Sequence, residues 1–327
     1  MRPFLIDTDT ASDDAVALIM ALRWPGVDVK AITVVAGNMP LRQAARNARF
    51  TVELCGADVP ISLGAPQPLL RPNAHAEWFH GQDGLSDVGY APREERFSPH
   101  HAVDTIIDTV KAHPGIELVT LGPLTNIALA VARAPEIVPL VGRCVVMGGA
   151  ACTEGNVTPA AEYNIWVDPE AARIVFHSGL PIEMVGWEHC RHDKVLNAEE
   201  IAHIQAFNNP LAEFALRSNQ TAIRAYHVQT GEDGLSLADP VAMAVALDPA
   251  VAVESNLHYV EIETHSELTR GMTVVDRLGV ASDERNRAVW APLIQRKPNA
   301  RVVWKVDAAH WKSILYHALQ SAPPTHP

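Results

Sequence analysis

Short, continuous apolar runs alternate with helix-like stretches over the first 190 residues of this chain, and that alternation constrains the fold more than any other feature. The runs at 4–7, 31–36, 61–63, 118–121, 144–147 and 182–185 read as strands, and the segments 13–23, 41–55, 102–112, 125–133 and 169–178 read as helices. Strands that are apolar throughout, without in–out alternation, are covered on both faces. A repeated βαβα order therefore predicts a mainly parallel open sheet flanked by helices, a Rossmann-like α/β core. Beyond residue 190 the pattern turns to helices at 198–206 and 210–225 and one opening at Asp239-Pro240. Strands at 258–263, 272–275 and 302–306 and a helix from 308 follow. With no repeat, low-complexity tract or linker, residues 1–327 read as a single domain. The Pro-, Gly- and His-rich stretch 64–100 reads as one long loop, and loops of that length in compact domains tend to be functional.

Composition excludes several classes of function. No apolar run reaches the ~18 residues a membrane span needs, and the N-terminus enters a strand too soon for a signal peptide. The net charge is −12, with no Lys/Arg block. That argues against nucleic-acid and anionic-membrane partners, both of which rest on basic surface. Cys55, Cys144, Cys152 and Cys190 have no CxxC spacing, so a reduced, cytoplasmic protein is expected.

The first strand ends in Asp7-Thr8-Asp9-Thr10-Ala11-Ser12-Asp13-Asp14. Residues two apart on a strand share a face, so Asp7 and Asp9 are expected to point together. Ser12 is the expected N-cap of the next helix, with Asp13 and Asp14 in its first turn, where the helix dipole favours negative charge. Acidic first turns are ordinary capping chemistry, but Asp is depleted in strands and rarely buried unpaired. Carboxylates this close repel unless a positive charge sits among them, and a divalent cation is the simplest one. In open α/β sheets ligands lie at the carboxyl ends of the strands. The same end collects Gly37-Asn38, Leu121-Gly122-Pro123 and Met147-Gly148-Gly149, which leads on to Asn156 and Asn164.

The segment Asp7-x-Asp9-x-x-x-Asp13-Asp14-Ala15-x-Ala17-Leu18 resembles the N-terminal signature of the inosine–uridine type nucleoside hydrolases. The likeness continues, in the family's order, through Val35-Ala36-Gly37-Asn38, Leu121-Gly122-Pro123-Leu124-Thr125-Asn126 and Val146-Met147-Gly148-Gly149. It extends to Glu154-Gly155-Asn156, Ala161-Glu162-Tyr163-Asn164-Ile165, Asp168-Pro169-Glu170, Asp239-Pro240 and Leu268-Thr269-Arg270-Gly271-Met272-Thr273. The resemblance implies Ca²⁺-dependent hydrolysis of the N-glycosidic bond of a small-molecule nucleoside. Carried onto matching positions, Asp9, Asp14, Asp239 and the Leu121 carbonyl would hold the calcium, an all-oxygen set suited to a hard cation, with Asp7 supporting from behind. The cation would acidify a water and Asp9 would take its proton as it attacks C1′. Asp13 and Asn38 would read the 2′ side of the ribose and the water, Asn164 the 2′/3′ hydroxyls, and Asn156 and Glu162 the 5′-hydroxyl, with Met147 packed on the sugar. Relatives are commonly homodimers or homotetramers.

The chain departs from the family's pattern in places that bear on chemistry. Many members carry a His immediately before the Asp-Pro, as proton donor to the leaving base; here that residue is Ala238. The signature's usual Asp-Pro-Gly is Asp9-Thr10-Ala11, which leads us to expect altered tolerance at the 2′ position. Trp187 and Glu188 stand where the family often has a smaller apolar residue and Asp. Base recognition falls to Trp78, Phe79, His80 and Tyr226, with His80, His227 or Glu188 as substitute acids; an aromatic wall without the His points to purine nucleosides. A zinc site at His189 and His192 lacks a partner pair with ligand spacing. A haloacid-dehalogenase-like phosphatase would explain Asp7-Thr8-Asp9-Thr10 but needs a later Gly-Asp-x-x-x-Asp motif that the chain lacks. The alternative from another class is a non-catalytic, calcium-dependent nucleoside-binding protein.

Overall fold

A computed structural model describes residues 1–286 and 297–320. Among the described residues ten strands form: β1 (Arg2–Thr8), β2 (Val27–Val34), β3 (Ile61–Leu63), β4 (Ile116–Thr120), β5 (Val141–Met147), β6 (Ile182–Val185), β7 (Ala252–His258), β8 (Val260–Ile262), β9 (Thr273–Val275) and β10 (Ala300–Val306). Eight of them make one sheet in the order β3-β2-β1-β4-β5-β6-β10-β7; β8 and β9 pair separately. Every neighbour in the large sheet is parallel except β7, which runs antiparallel to β10 at the edge. The chain therefore forms the mainly parallel α/β domain that the alternating pattern implies.

Alternation along β1 explains how one strand serves two cores. Phe4 and Ile6 join the cluster beneath the helices Ser12–Arg23, Leu41–Leu54, Ala238–Leu247 and Ala308–Gln320. Leu5 points to the other face, where it meets Ile106, Leu118, Ile127 and Val146. Because β1 is central and its neighbours β2 and β4 are reached in opposite directions along the sheet, a crevice opens at the carboxyl end of β1. The helix Ala238–Leu247 is buried from Asp239 to its end, and its first turn adds Asp239 to that crevice.

The differences from the sequence reading have physical causes. Strand β7, AVESNLH, is mostly solvent-facing, so its interior Glu254, Ser255 and Asn256 carry no apolar signal; only its end, His258, falls within the expected 258–263. The single helix expected over 210–225 is two, Pro210–Arg217 and Gln220–Thr230. The break lies at Ser218-Asn219, where Asn219 Nδ2 donates to the Ala215 and Ser12 carbonyls. Within the long stretch 64–100 a short helix forms over Glu77–His80. Among the described residues no helix is long and apolar enough to cross a membrane.

Candidate active site

Strand β1 ends at Thr8, so the pleat that would align Asp7 with Asp9 stops between them. Asp7 stays in the sheet, its Oδ1 accepting from Thr33 Oγ1 (2.5 Å) and Asn126 Nδ2 (2.9 Å). Its Oδ2 is buried without a partner, and burial pushes its pKa up to about 7. Asp9 turns the other way, and Oδ2 accepts from the Asn38 amide at 2.5 Å. Its carboxylate is wedged between two backbone turns. A Cβ on Gly37 would lie 2.1 Å from Asp9 Oδ2, and one on Gly122 would lie 2.7 Å from Oδ1. Glycine at both positions is thus a requirement of close approach.

The helix begins one residue earlier than expected. Its N-cap is Ala11, which offers no side-chain acceptor, and Asp14 reaches back to accept from the Ala11 amide at 2.9 Å while Thr8 Oγ1 donates to its other oxygen at 2.6 Å. Ala11 has φ −106°, backbone that any residue adopts, so losing the family's Pro-Gly leaves no strain at Ala11. Thr10 instead adds a hydroxyl 3.0 Å from that of Thr8. Ser12, freed from capping, sets its Oγ 2.8 Å from His80 Nδ1.

Single oxygens of Asp13, Asp14 and Asp239 lie within 4.8 Å of one another, the one group of this kind among the described residues. Burial, then repulsion among these carboxylates and Asp9, raises the pKa of Asp9 and of Asp239 well above the ordinary range; burial raises Asp13 and Asp14 as well. Asp9 Oδ1, Asp13 Oδ1 and Asn164 Oδ1 are buried without partners. Unpaired buried oxygens of this kind are costly. An all-oxygen donor set with orphaned lone pairs fits a hard divalent cation such as Ca²⁺. Asp14 and Asp239 of the expected ligand set fall in this group, and Asp13 joins them. The Leu121 carbonyl accepts from Asn164 Nδ2 at 2.9 Å, which leaves it a second lone pair.

These groups open onto a cavity of about 770 Å³, measured out to its solvent mouth. Asp13, Asn38, Leu121, Met147, Asn156, Glu162, Asn164, Trp78, His80, Tyr226 and Asp239 all line it; Asp9 and Asp14 lie behind this lining. Glu162 caps the short helix Tyr163–Val167, accepting from the amides of Gly149 (2.8 Å), Asn164 (2.8 Å) and Ile165 (3.2 Å). Even so, burial raises its pKa to about 7. Asn156 Oδ1 accepts from the Tyr163 amide. Trp78 sits at the mouth, 60 % exposed, packed edge-on against Phe79.

Of the substitute acids, only His80 reaches the cavity, and burial lowers its pKa to about 4. His227 is on the surface, 2.9 Å from Asp233, and Glu188 is half-buried beside the Ala151 amide. His189 Nε2 binds the Val303 carbonyl and His192 pairs with Glu232, so the two do not form a metal site. The sequence reading missed Val157, Gln229 and Ser236 in the lining, while Trp187 and Cys190 line it from the loop 187–192, expected to border the pocket. Tyr226 and Gln229 share a face because their helix runs on to Thr230, where Gly231 (φ 73°) closes it; that glycine was a legible stop signal.

Comparison with known proteins decides the family. Residues 4–313 match the inosine-uridine preferring nucleoside hydrolase family. The chain belongs to it. It is 36 % identical to the pyrimidine-specific ribonucleoside hydrolase RihB of Escherichia coli over 88 % of this chain and 91 % of that one. Among solved structures it resembles a plant nucleoside hydrolase (30 % identity, TM-score 0.89, covering 98 % of this chain and 99 % of that one). An inosine-guanosine nucleoside hydrolase is similar to it as well (30 % identity, TM-score 0.87, covering 98 % and 100 %). The family hydrolyses N-glycosyl bonds, so the phosphatase reading falls away.

Proposed function

We propose that this nucleoside hydrolase uses Ca²⁺ and prefers purine nucleosides, releasing free base and ribose. The observation that carries the proposal is the set of buried, unpartnered oxygens of Asp9, Asp13 and Asn164 at a cleft lined by polar and aromatic side chains. Asp13, Asp14 and Asp239 would hold the cation, with Asp9 and the Leu121 carbonyl as the further ligands that the resemblance implies. Calcium bound there would supply the positive charge that lets these carboxylates ionise together and that acidifies water. Asp9 Oδ1 takes the proton of the attacking water, since its other oxygen is committed to Asn38. Asp13 and Asn38 bind the 2′ side of the sugar, and any altered tolerance at that position rests on them rather than on the Thr10-Ala11 backbone. Asn164 offers Oδ1 to the 2′/3′ hydroxyls. Asn156 and Glu162 hold the 5′ end and Met147 packs beneath the ring. The carboxylates stabilise the positive charge that develops on the sugar.

With Ala238 in place of a histidine and His80 neutral, departure of the base depends on aromatic contact with Trp78 and Tyr226 and on a hydrogen bond from His80. That favours purines, the better-stacking leaving groups. Pyrimidine nucleosides are the second reading, favoured by the 36 % identical RihB. A cytoplasmic location rests on the cysteine usage, and a homodimeric or homotetrameric state on the family resemblance. The test is base release from inosine, adenosine, guanosine, uridine, cytidine and 2′-deoxy and 2′-O-methyl purine nucleosides, with calcium and with chelator. Release from purines alone, abolished by chelator, is expected; release from pyrimidines at equal rate overturns the preference. Nucleoside affinity without turnover would move the protein to the binding class.

A further inference from the structure

We propose that Arg191 is a positioning residue for nucleoside binding, its guanidinium tying together the three segments that bring Asn156, Trp187 and Tyr226 to the cavity. The inference rests on the nucleoside-hydrolase reading and assigns to that site a residue that does not itself line it.

The three segments come from distant parts of the chain. The loop after β5 carries Glu154 and Asn156; the turn after β6, Trp187–Cys190, carries Trp187; the helix Gln220–Thr230 and the turn beyond it carry Tyr226, Gln229 and Glu232. Arg191 pairs with Glu154 through one terminal nitrogen and with Glu232 through the other at 3.1 Å. Its guanidinium carbon stands over the Trp187 ring, 4.9 Å from the centroid. Each contact is passed on to a group at the cavity. Trp187 Nε1 donates to the Glu154 carbonyl at 2.7 Å, so the indole and the Glu154 loop are fixed together. Glu232 accepts from the Tyr226 hydroxyl, and Tyr226 is only 2 % exposed, so where Glu232 is held decides where that ring sits. His192 also faces Glu232, at 3.2 Å, and Gln229 Nε2 donates to the Asn156 carbonyl.

An ordinary surface ion pair would do little of this, being worth ~0–1 kcal/mol. Here the Arg191 side chain is 15 % exposed, and one planar group serves two carboxylates while its face covers an indole. A lysine ammonium cannot bridge both carboxylates and cover the ring at once. Removing the guanidinium leaves Glu154 and Glu232 without their shared cation and releases Trp187 and Tyr226 together.

The test combines steady-state kinetics on inosine, or on the best nucleoside of the panel above, with amide hydrogen exchange. Arg191→Met is expected to raise KM about tenfold with kcat within about threefold of wild type. Arg191→Lys should recover only part of the loss. Glu232→Gln should raise KM by itself, and the Arg191→Met/Glu232→Gln double variant should be no worse than Arg191→Met, the mark of a shared interaction. Exchange in 152–157 and 226–236 should quicken in Arg191→Met while β1 and β4 stay protected. An unchanged KM with kcat lowered in step with the folded fraction, or additive single effects, overturns the proposal. If Arg191→Met does not fold, Glu232→Gln and the more exposed Glu154→Gln give the same reading through KM. If the wild type turns over no nucleoside, the functional reading fails, and the tie is judged by exchange alone: unaltered exchange in both segments overturns it.

Discussion

Replacing Asp7 by Asn should make the protein gain stability relative to wild type as pH rises, in chelator-treated samples. The reason lies in one buried carboxyl. Asp7 is fully covered, one oxygen accepts from Thr33 and Asn126, and the other has no partner. Burial lifts its pKa from an ordinary 3.8 to about 7. A carboxyl whose folded-state pKa exceeds its unfolded value favours folding while it keeps its proton. Its contribution is therefore complete below about pH 4 and is lost as pH climbs through about 7. Each pH unit between the two values is worth about 1.4 kcal/mol. Integrated from about pH 5 to about pH 8, wild type loses about 2.5 kcal/mol at this site. Asn matches the acid in shape and does not titrate, so the difference between the two proteins isolates Asp7 from every other group. Urea unfolding of both proteins across that range, analysed with a common slope, should show the variant moving ahead by about 2.5 kcal/mol, a large share of a stability of about 5–15 kcal/mol. A difference that is flat with pH, or one that moves toward wild type, would refute the reasoning: it would mean that Asp7 is already ionised in the folded protein.

Two further perturbations probe the cavity. Gly37→Ala puts a Cβ 2.1 Å from Asp9 Oδ2; kcat/KM should fall about 100-fold, the scale of a misplaced reacting group, with a stability cost of about 1–3 kcal/mol. Wild-type kinetics in a folded Gly37→Ala protein would show that Asp9 need not be held there. Trp78→Ala removes a side chain that is 60 % exposed, so thermal stability should hold within about 0.5 kcal/mol. Its KM for purine nucleosides should rise by the ~1–3 kcal/mol typical of base–aromatic stacking, and an unchanged KM would place base recognition elsewhere.

How much of this was legible in the chain differs from residue to residue. The cluster Asp7, Asp9, Asp13 and Asp14 announced itself because carboxylates after an apolar strand have no cheap structural explanation. Asn38, Leu121, Met147 and Asn164 were legible because each follows a buried strand or sits in a motif that matches the family. The strand β7 was not, since an edge strand facing water needs no apolar run. Ser12 was misread as the cap because capping preference is local, while its hydroxyl answers to His80, 68 positions away in the sequence.

The amino-acid sequence by itself determined the parallel α/β architecture and the acidic character of the site, and its ordered motifs carried the family resemblance that implies the kind of bond acted upon. Apolar periodicity and the cost of burying like charges are properties of short stretches and survive without coordinates. Only the tertiary structure decided which carboxylates converge. It brought Asp13 to Asp14 and Asp239, the pair the resemblance had already joined, with Asp239 on a helix buried from that residue to its end, and held Asp7 on Thr33 and Asn126. It also decided which histidine reaches the cavity and that Arg191 joins Glu154 to Glu232. Those outcomes depend on how separate segments pack and on which donors remain unpaired once they do, and no local pattern encodes either.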